Sequence, residues 1–165
     1  MSDSPKETTP ESTTDTLGTS DSPEQSIILP ARFENLDRVR EFVAHIAESY
    51  GLESSAVYSV QLAVDEAFTN IIEHAYGGEC QENILCACQI TADGLVITLR
   101  DCGHPFNPDN VPEPDLYAKL EDRQLGGLGL YFIRQLMDEV SFTFIPSSES
   151  GRGCNILRMV KRKEK

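Results

Sequence analysis

The sequence predicts an α/β (α+β) two-layer sandwich, an antiparallel-rich mixed sheet with its helices packed on one face. Three observations carry this prediction. Apolar residues recur at helical spacing in separate segments, short strand patterns come in consecutive pairs around turn residues, and the order of elements lacks the alternation of a parallel doubly wound sheet. The 165 residues suit one such domain and a tail.

Composition divides the chain into two parts. Residues 1–25 are mostly Ser, Thr, Pro, Asp and Glu, with Leu17 as almost the only apolar side chain. Because this composition buries too little apolar surface to offset the entropy of ordering, we predict a disordered acidic tail over 1–25. The folded domain is predicted over 26–165, and it starts with an edge strand at Ser26–Leu29 that Pro30 stops.

Two helices are predicted after the first strand. Apolar residues at helical spacing predict the first helix over Asn35–Tyr50, with Gly51 as a left-handed cap. The second helix is predicted to begin at a cap on Ser54 or Ser55 and to run to about Tyr76. Both helices are amphipathic, so each is expected to bury one face.

Two hairpins and a third helix complete the predicted domain. Residues 104–125 are rich in Pro and charge, and they predict a mobile loop with a short helical turn around 116–120, able to cover a ligand. The third helix opens at the glycine-rich run 126–130. The predicted hairpin strands are Asn83–Ile90 with Leu95–Arg100, and Glu139–Ile145 with Cys154–Val160.

The net charge of the chain excludes some classes of binding partner. A formal net charge of -13 argues against nucleic acid and against an anionic membrane surface, since both are negatively charged. No basic region followed by an apolar run opens the chain, and no stretch of about 18 apolar residues is present. We therefore predict a cytoplasmic protein without nucleic-acid or membrane partners, whose acidity suits a basic protein partner.

Five cysteines form an odd set without a Cys-x-x-Cys pair. Their spacing indicates neither a disulfide framework nor a zinc site, so we predict small buried residues in a reducing compartment. Cys86 and Cys88 would share one face of a strand, where a metal site with His74 is the alternative to core packing.

The polar border of the second helix carries the first candidate site. Glu66 and Asn70 lie one helical turn apart, about 6 Å along the axis, at the edge of the apolar face. A half-buried carboxylate can accept a proton or orient a nucleophile. An amide oxygen suits a hard cation such as magnesium. The alternative is an ordinary solvated helix face, which such a pair forms in most helices.

Two further motifs lie at breaks between elements. Asp101-Cys102-Gly103 follows the second strand of the first hairpin, and Gly126-Gly127-Leu128-Gly129 precedes the third helix. Each alone is typical of a strand end or a turn. With the helix pair, however, they come in the order that a nucleotide site would need.

On these motifs the chain resembles the GHKL ATPases with the Bergerat fold, and within them the anti-sigma-factor serine/threonine kinases of bacterial partner-switching systems. The resemblance covers roughly residues 26–161. It implies that Glu66 is the catalytic glutamate and that Asn70 holds magnesium, with His74-Ala75-Tyr76 matching the end of that family's helix.

The resemblance also implies the remaining ligand contacts. Asp101 would accept a hydrogen bond from the adenine amino group, and Gly103 would let the backbone approach the base. Gly127 and Gly129 would bring free N–H groups to phosphate oxygens. One departure affects the adenine site, because many relatives have a threonine where this chain has Cys154-Asn155.

The implied function is an ATP-dependent serine/threonine protein kinase that uses ATP and Mg²⁺. It would phosphorylate a small anti-sigma-factor antagonist and otherwise sequester a sigma factor, and the family resemblance suggests a homodimer. A nucleotide-sensing protein-binding module with little or no kinase activity is the alternative. The catalytic half of a histidine kinase is disfavoured, because we find no preceding dimerising helix with an acceptor histidine.

Overall fold

The computed structural model describes residues 21–112, 127–147 and 151–164. Within them, five strands and three α-helices follow one another as β1 Gln25–Pro30, α1 Leu36–Tyr50, α2 Ser54–Asn70, β2 Asn83–Thr91, β3 Gly94–Asp101, α3 Gly127–Leu136, β4 Glu139–Ile145 and β5 Cys154–Lys161. The strands form one sheet in the order β1-β2-β3-β5-β4. The predicted two-layer sandwich is confirmed, although the described sheet is antiparallel at every strand pair rather than mixed.

The core lies between one face of this sheet and the helices. Strand register aligns an apolar row across all five strands, formed by Ile27, Cys86, Leu99, Leu157 and Phe142. Fully burying one side chain of this kind contributes about 1.5–3 kcal/mol, so the shared face stabilises the two layers strongly. The helices complete the cluster with buried side chains that include Val39, Val43, Val60, Val64, Phe68 and Ile133.

Helix boundaries test the predicted caps. Gly51 ends α1 in the left-handed conformation, with φ +92°, and donates hydrogen bonds to the Ala47 and Glu48 carbonyls, as predicted. The predicted serine cap of α2 is wrong, since the helix already starts at Ser54 and Glu53 occupies the cap position without a side-chain cap bond. In the described parts, no helix is both long enough and apolar enough to cross a membrane.

The start of the domain lies earlier than predicted. Ser22 donates its backbone N–H to the Ile90 carbonyl at 2.9 Å, and its Oγ accepts from the Ile90 N–H at 2.9 Å. Gln89 Nε2 also donates to the Ser22 carbonyl at 3.0 Å. Ser22 and the first strand residue, Gln25, therefore contact β2, although both lie in the stretch predicted as a disordered tail. The predicted disorder of residues 1–20 falls outside the described residues.

Most of the predicted ligand-covering loop also falls outside the described residues. The helical turn expected at 116–120 belongs to that part of the chain. Its described beginning, 104–112, contains a short 3₁₀ turn at Pro108–Asn110, which Asn107 caps by accepting the Asp109 N–H.

The cysteines divide into three kinds. Cys86 and Cys88 are buried in the core, as predicted, and a hydrogen bond with Cys88 together with burial raises the pKa of the Cys86 thiol well above its usual value. Cys80 is free and half-buried. The prediction is wrong for Cys102 and Cys154, which form a disulfide. These two residues are distant in sequence and meet only because β3 pairs with β5. The spacing of cysteines in the sequence does not predict that strand pairing.

Candidate functional site

A π-helical turn, Ile71–Ala75, continues α2 without a break. Its wider hydrogen-bond ring is seen at Tyr76, whose N–H donates to the Ile71 carbonyl at 3.0 Å. Such turns occur frequently at functional sites because they change the direction of the side chains that follow. The predicted helix to about Tyr76 is thus continuous, with a π-helical rather than an α-helical end.

A cavity of about 220 Å³ lies between this turn, α3 and the ends of β3 and β5. Its walls are mostly apolar, with a few polar side chains, which is the usual make-up of a small-molecule site. The lining consists of Ala67, Asn70, Ile71, His74, Ala75, Asp101, His104, Pro105, Phe106, Leu130, Ile133, Phe142, Asn155 and Leu157.

Asp101 and Asn155 form the polar floor of the cavity. They lie directly opposite each other on β3 and β5 and are only 4% and 8% exposed. Asn155 Nδ2 donates to Asp101 Oδ1 at 2.9 Å, and the Gly103 N–H donates to the same oxygen at 3.0 Å. Within the described residues, no hydrogen bond reaches Oδ2 of Asp101. One carboxylate oxygen is therefore held in place and the other is open to a ligand.

The ionisation of Asp101 reflects two opposing effects. Burial raises the pKa of its carboxyl, and the hydrogen bonds from Asn155 and Gly103 oppose that rise. The raised pKa shows that desolvation outweighs these two donors. A ligand that supplies a further N–H donor would favour the ionised carboxylate.

Asn155 makes two further hydrogen bonds besides the one to Asp101. Its Nδ2 also donates to the His104 carbonyl at 2.8 Å, and its Oδ1 accepts the Phe106 N–H at 2.8 Å. The side chain thus fixes the first residues of the segment that leaves β3. Sequence reasoning noted Asn155 only as a departure from a family pattern. A signal was present, because strand alternation places Asn155 on the same inward face as Leu157.

Glu66, Asn70 and Gly129 meet at the other end of the cavity. A Cβ added to Gly129 would lie 3.0 Å from Glu66 Oε2 and 3.1 Å from Asn70 Nδ2. The glycine therefore lets the first turn of α3 approach both side chains. Burial, followed by the charges of Asp65 and Glu73, raises the pKa of the Glu66 carboxyl.

Gly103 packs against the end of the π-helical turn. A Cβ at this position would lie 2.4 Å from the Ala75 carbonyl oxygen, and the His104 N–H donates to that oxygen at 2.7 Å. Tyr76 Oη accepts the Cys102 N–H at 3.1 Å and donates to the Asn83 carbonyl at 2.9 Å. Close packing thus accounts for this glycine, while its predicted contact with a base stays a prediction.

The structure brings most of the predicted site residues together. Asn70 and Asp101 line one cavity, and Glu66 and Gly129 adjoin Asn70. Gly127 is the first residue of α3, whose first turn also contains Gly129. The N–H groups of a helix start have no partner within the helix, and they attract anions. The arrangement joins a buried hydrogen-bond acceptor, an apolar slot and an anion-attracting end.

Comparisons with known proteins found similar proteins of one family. The family model described as histidine kinase-like ATPase domain matches residues 29–161. The serine-protein kinase RsbW of Listeria monocytogenes serovar 1/2a is 32% identical over 120 residues, which are 70% of this chain and 76% of the relative. The serine-protein kinase RsbW of Bacillus cereus is 31% identical over 116 residues, which are 68% of this chain and 72% of the relative.

A solved structure shows the same fold. The crystal structure of the RsbU and RsbW domains of a Mycobacterium tuberculosis protein matches with a TM-score of 0.54 and 18% identity, covering 87% of this chain and 35% of that chain. Together with the family model and the RsbW relatives, this fold leads to one conclusion. The chain belongs to the histidine kinase-like (GHKL) ATPase family, in its RsbW-like group.

Proposed function

We propose that the protein is an ATP-dependent serine/threonine protein kinase and an anti-sigma factor of a bacterial partner-switching system. It phosphorylates a small anti-sigma-factor antagonist and sequesters a sigma factor. The observation that carries the proposal is the buried Asp101 carboxylate, held through one oxygen at the floor of a mostly apolar cavity whose other end adjoins Asn70 and Glu66.

The floor of the cavity suits an adenine base. A flat apolar ring gains from burial between side chains such as Ile71, Phe106 and Leu157. The exocyclic amino group of adenine donates a hydrogen bond, and Asp101 Oδ2 is an acceptor on the cavity floor. A hydrogen bond to a charged group contributes about 1.5–3 kcal/mol, enough to select bases that carry this donor.

The opposite end suits the phosphates. In the proposed complex, the N–H groups at the start of α3, where Gly127 and Gly129 lie, bind phosphate oxygens. Asn70 offers a neutral amide oxygen beside them. Among the described residues, no three His, Cys, Asp or Glu side chains gather into a metal site. We propose that Asn70 and the nucleotide would hold the magnesium ion together, because Mg²⁺ bound to nucleotides takes few protein ligands.

Glu66 suits the role of proton acceptor. In the proposed transfer, the acceptor hydroxyl of the antagonist attacks the terminal phosphorus, ADP leaves, and the hydroxyl proton passes to the Glu66 carboxylate. When bound, Mg²⁺ neutralises charge that develops on the phosphate oxygens. A raised pKa makes the Glu66 carboxylate a better base than an ordinary glutamate near neutral pH.

The proposed partners are proteins. The names of the RsbW relatives describe serine-protein kinases, which supports a protein acceptor. We further propose action in the cytoplasm as a homodimer, with no contact to nucleic acid or membrane. The acidic net charge of -13 favours basic surfaces on the sigma factor or on the antagonist.

Incubation with magnesium, labelled ATP and the cognate antagonist tests the proposal. Label is expected on a Ser or Thr of the antagonist with the parent protein, and also with Glu48→Gln, a control that removes an exposed carboxylate of α1. Glu66→Gln should transfer almost none. If the parent binds ATP but transfers no label, the function is a nucleotide-sensing binding module instead.

A further inference from the structure

The disulfide between Cys102 and Cys154 adjoins both polar residues of the cavity floor. Cys102 directly follows Asp101, and Cys154 directly precedes Asn155. We propose that this cysteine pair is a site of reversible thiol oxidation, and that the disulfide stabilises the arrangement of Asp101 and Asn155 that binds nucleotide. The inference rests on the proposed ATP binding and adds a redox-sensitive modification site to it.

The position of the bond favours an effect through the backbone. Asp101 and Asn155 face the cavity, so the alternation of β3 and β5 places the two neighbouring sulfur atoms on the opposite face of the sheet. The disulfide therefore does not obstruct the cavity. It joins the end of β3 to the start of β5, where the two hydrogen-bonding residues lie opposite each other.

The bond also closes a large loop. Its cysteines are 52 residues apart in sequence, and the chain between them includes α3 with Gly129 and all of β4. Both ends of this loop are thus held at the cavity floor. Closing a long loop covalently restricts the alternative conformations of the chain, which favours the conformation that the bond joins.

Local hydrogen bonds connect Cys102 to the site. Its N–H donates to Tyr76 Oη at 3.1 Å, and the next N–H, that of Gly103, donates to Asp101 Oδ1 at 3.0 Å. A backbone shift at Cys102 would therefore change the orientation of the carboxylate. Asn155 provides the corresponding connection from Cys154, since it bonds both Asp101 and the His104 carbonyl.

The surroundings of the pair favour thiol chemistry. Both cysteines are only partly buried, so small oxidants and reductants can reach them. Arg100 Nη2 lies 3.7 Å from Cys154 Sγ, and a guanidinium beside a reduced cysteine favours the thiolate, which is the nucleophile. Cys86 and Cys88 are buried in the core and offer no such access.

The reaction balances with a small disulfide such as oxidised glutathione as the oxidant. The Cys154 thiolate attacks one sulfur of that disulfide and releases one glutathione thiolate, leaving a mixed disulfide. The Cys102 thiol then loses its proton and attacks Cys154 Sγ, which releases the second glutathione. Two cysteine thiols lose two electrons, and one glutathione disulfide gains them.

Thermodynamic linkage gives the expected size of the coupling between disulfide formation and ATP binding, and it requires that each affect the other equally. Coupling between two sites is typically 5–150-fold, and a bond that acts only through the backbone should lie near the lower limit, at about fivefold. Reduction should thus weaken ATP affinity about fivefold. By the same linkage, saturating ATP should shift the thiol–disulfide equilibrium toward the disulfide by the same factor.

Calorimetry of ATP with magnesium on the full chain tests this, with the redox state established by alkylation and mass measurement. The parent and Cys80→Ser, a control that removes a free half-buried thiol, should bind about fivefold more weakly after reduction. Cys102→Ser/Cys154→Ser should bind like the reduced parent under both conditions. A glutathione redox buffer with and without ATP measures the reciprocal shift.

The opposite results separate the two proposals. Equal ATP affinity of the oxidised and reduced parent, or a redox response that persists in the double variant, would overturn the coupling alone. Absence of ATP binding in both redox states would overturn the proposed function, and the coupling with it.

Discussion

The two ends of the cavity are built differently. At the end where we propose that the adenine base binds, the base end, four hydrogen bonds connect the buried Asp101 and Asn155 to each other and to the segment that starts at Gly103. At the end where we propose that the phosphates bind, the phosphate end, Glu66 and Asn70 are half-buried, and within the described residues no hydrogen bond holds either side chain. The base end is therefore organised by the protein, whereas the phosphate end has side chains that remain available to a ligand.

This difference between the two ends should separate the effects of substitutions on ATP binding from their effects on phosphate transfer. A preorganised site adds affinity because little ordering remains to be done when the ligand binds. Side chains without fixed partners contribute mainly once the nucleotide and the acceptor are in place. Substitutions at the base end should therefore change ATP affinity and stability, and those at the phosphate end should change the rate of transfer.

The largest expected effect is on the chemical step. Glu66→Gln should lower the transfer rate by about 10²- to 10⁴-fold, the usual contribution of a general base, while ATP affinity stays near that of the parent. The measurement is a single-turnover transfer rate with an ATP dissociation constant for each variant. Transfer at the parent rate would remove Glu66 from the mechanism.

Removal of the Asn155 side chain should disturb the base end. Asn155→Ala removes a buried hydrogen bond to Asp101 and two part-buried ones, with the His104 carbonyl and the Phe106 N–H. Leaving a fully buried polar group unsatisfied costs about 1–3 kcal/mol, and Asp101 keeps the Gly103 N–H as a partner. We expect a lower melting temperature and weaker ATP binding, with transfer restored at saturating ATP. Asn110→Ala, at an exposed asparagine whose side chain makes no hydrogen bond within the described residues, is the matched control. Equal losses in both variants would contradict a special role for Asn155.

A smaller effect is expected where α3 approaches α2. In Gly129→Ala the new Cβ would lie 3.0 Å from Glu66 Oε2, so the carboxylate must move by a few tenths of an ångström. Misplacement on that scale should slow transfer about tenfold, since catalysis is sensitive to sub-ångström position. ATP affinity should change less than the rate. If Gly129→Ala lowers ATP affinity but leaves the transfer rate unchanged, the assigned roles of the two ends are wrong.

The smallest effect concerns the pH dependence of stability. The pKa of Glu66 is raised in the folded protein, so its ionised form destabilises the fold at neutral pH. Glu66→Gln should raise the melting temperature at neutral pH. The gain in unfolding free energy should be less than about 1 kcal/mol, because solvent partly screens the group. Below the ordinary pKa of a glutamate, both proteins carry a neutral side chain and the difference should vanish. A difference that grows toward acid pH would contradict the raised pKa.

Local patterns predicted the elements of the fold well. Helical spacing placed Glu66 and Asn70 on one border of α2, and turn residues predicted both hairpins. Apolar spacing cannot distinguish an α-helical from a π-helical turn, so the change at Ile71 was not expected. The cap at Glu53 was also missed, because adjacent serines are the stronger local signal for a helix start.

Cross-strand neighbours explain the other misses. The opposition of Asp101 and Asn155, and of Cys102 and Cys154, depends on the register of β3 against β5. A strand pattern predicts which face a residue occupies but not its partner on the next strand. The contact of Ser22 with Ile90 is missed for the same reason. The strand pattern therefore predicts that Asn155 is an inward-facing polar residue, but it does not predict its hydrogen bonds.

The most direct measurement compares ATP with purine riboside triphosphate, which lacks the 6-amino group, on the parent and on Asp101→Asn. If the open carboxylate oxygen binds that amino group, the parent should prefer ATP by about 10-fold or more, from a hydrogen bond worth about 1.5–3 kcal/mol. Asp101→Asn should lose most of this preference and bind the analogue almost as the parent does. An undiminished preference for ATP in a folded Asp101→Asn protein would contradict the account.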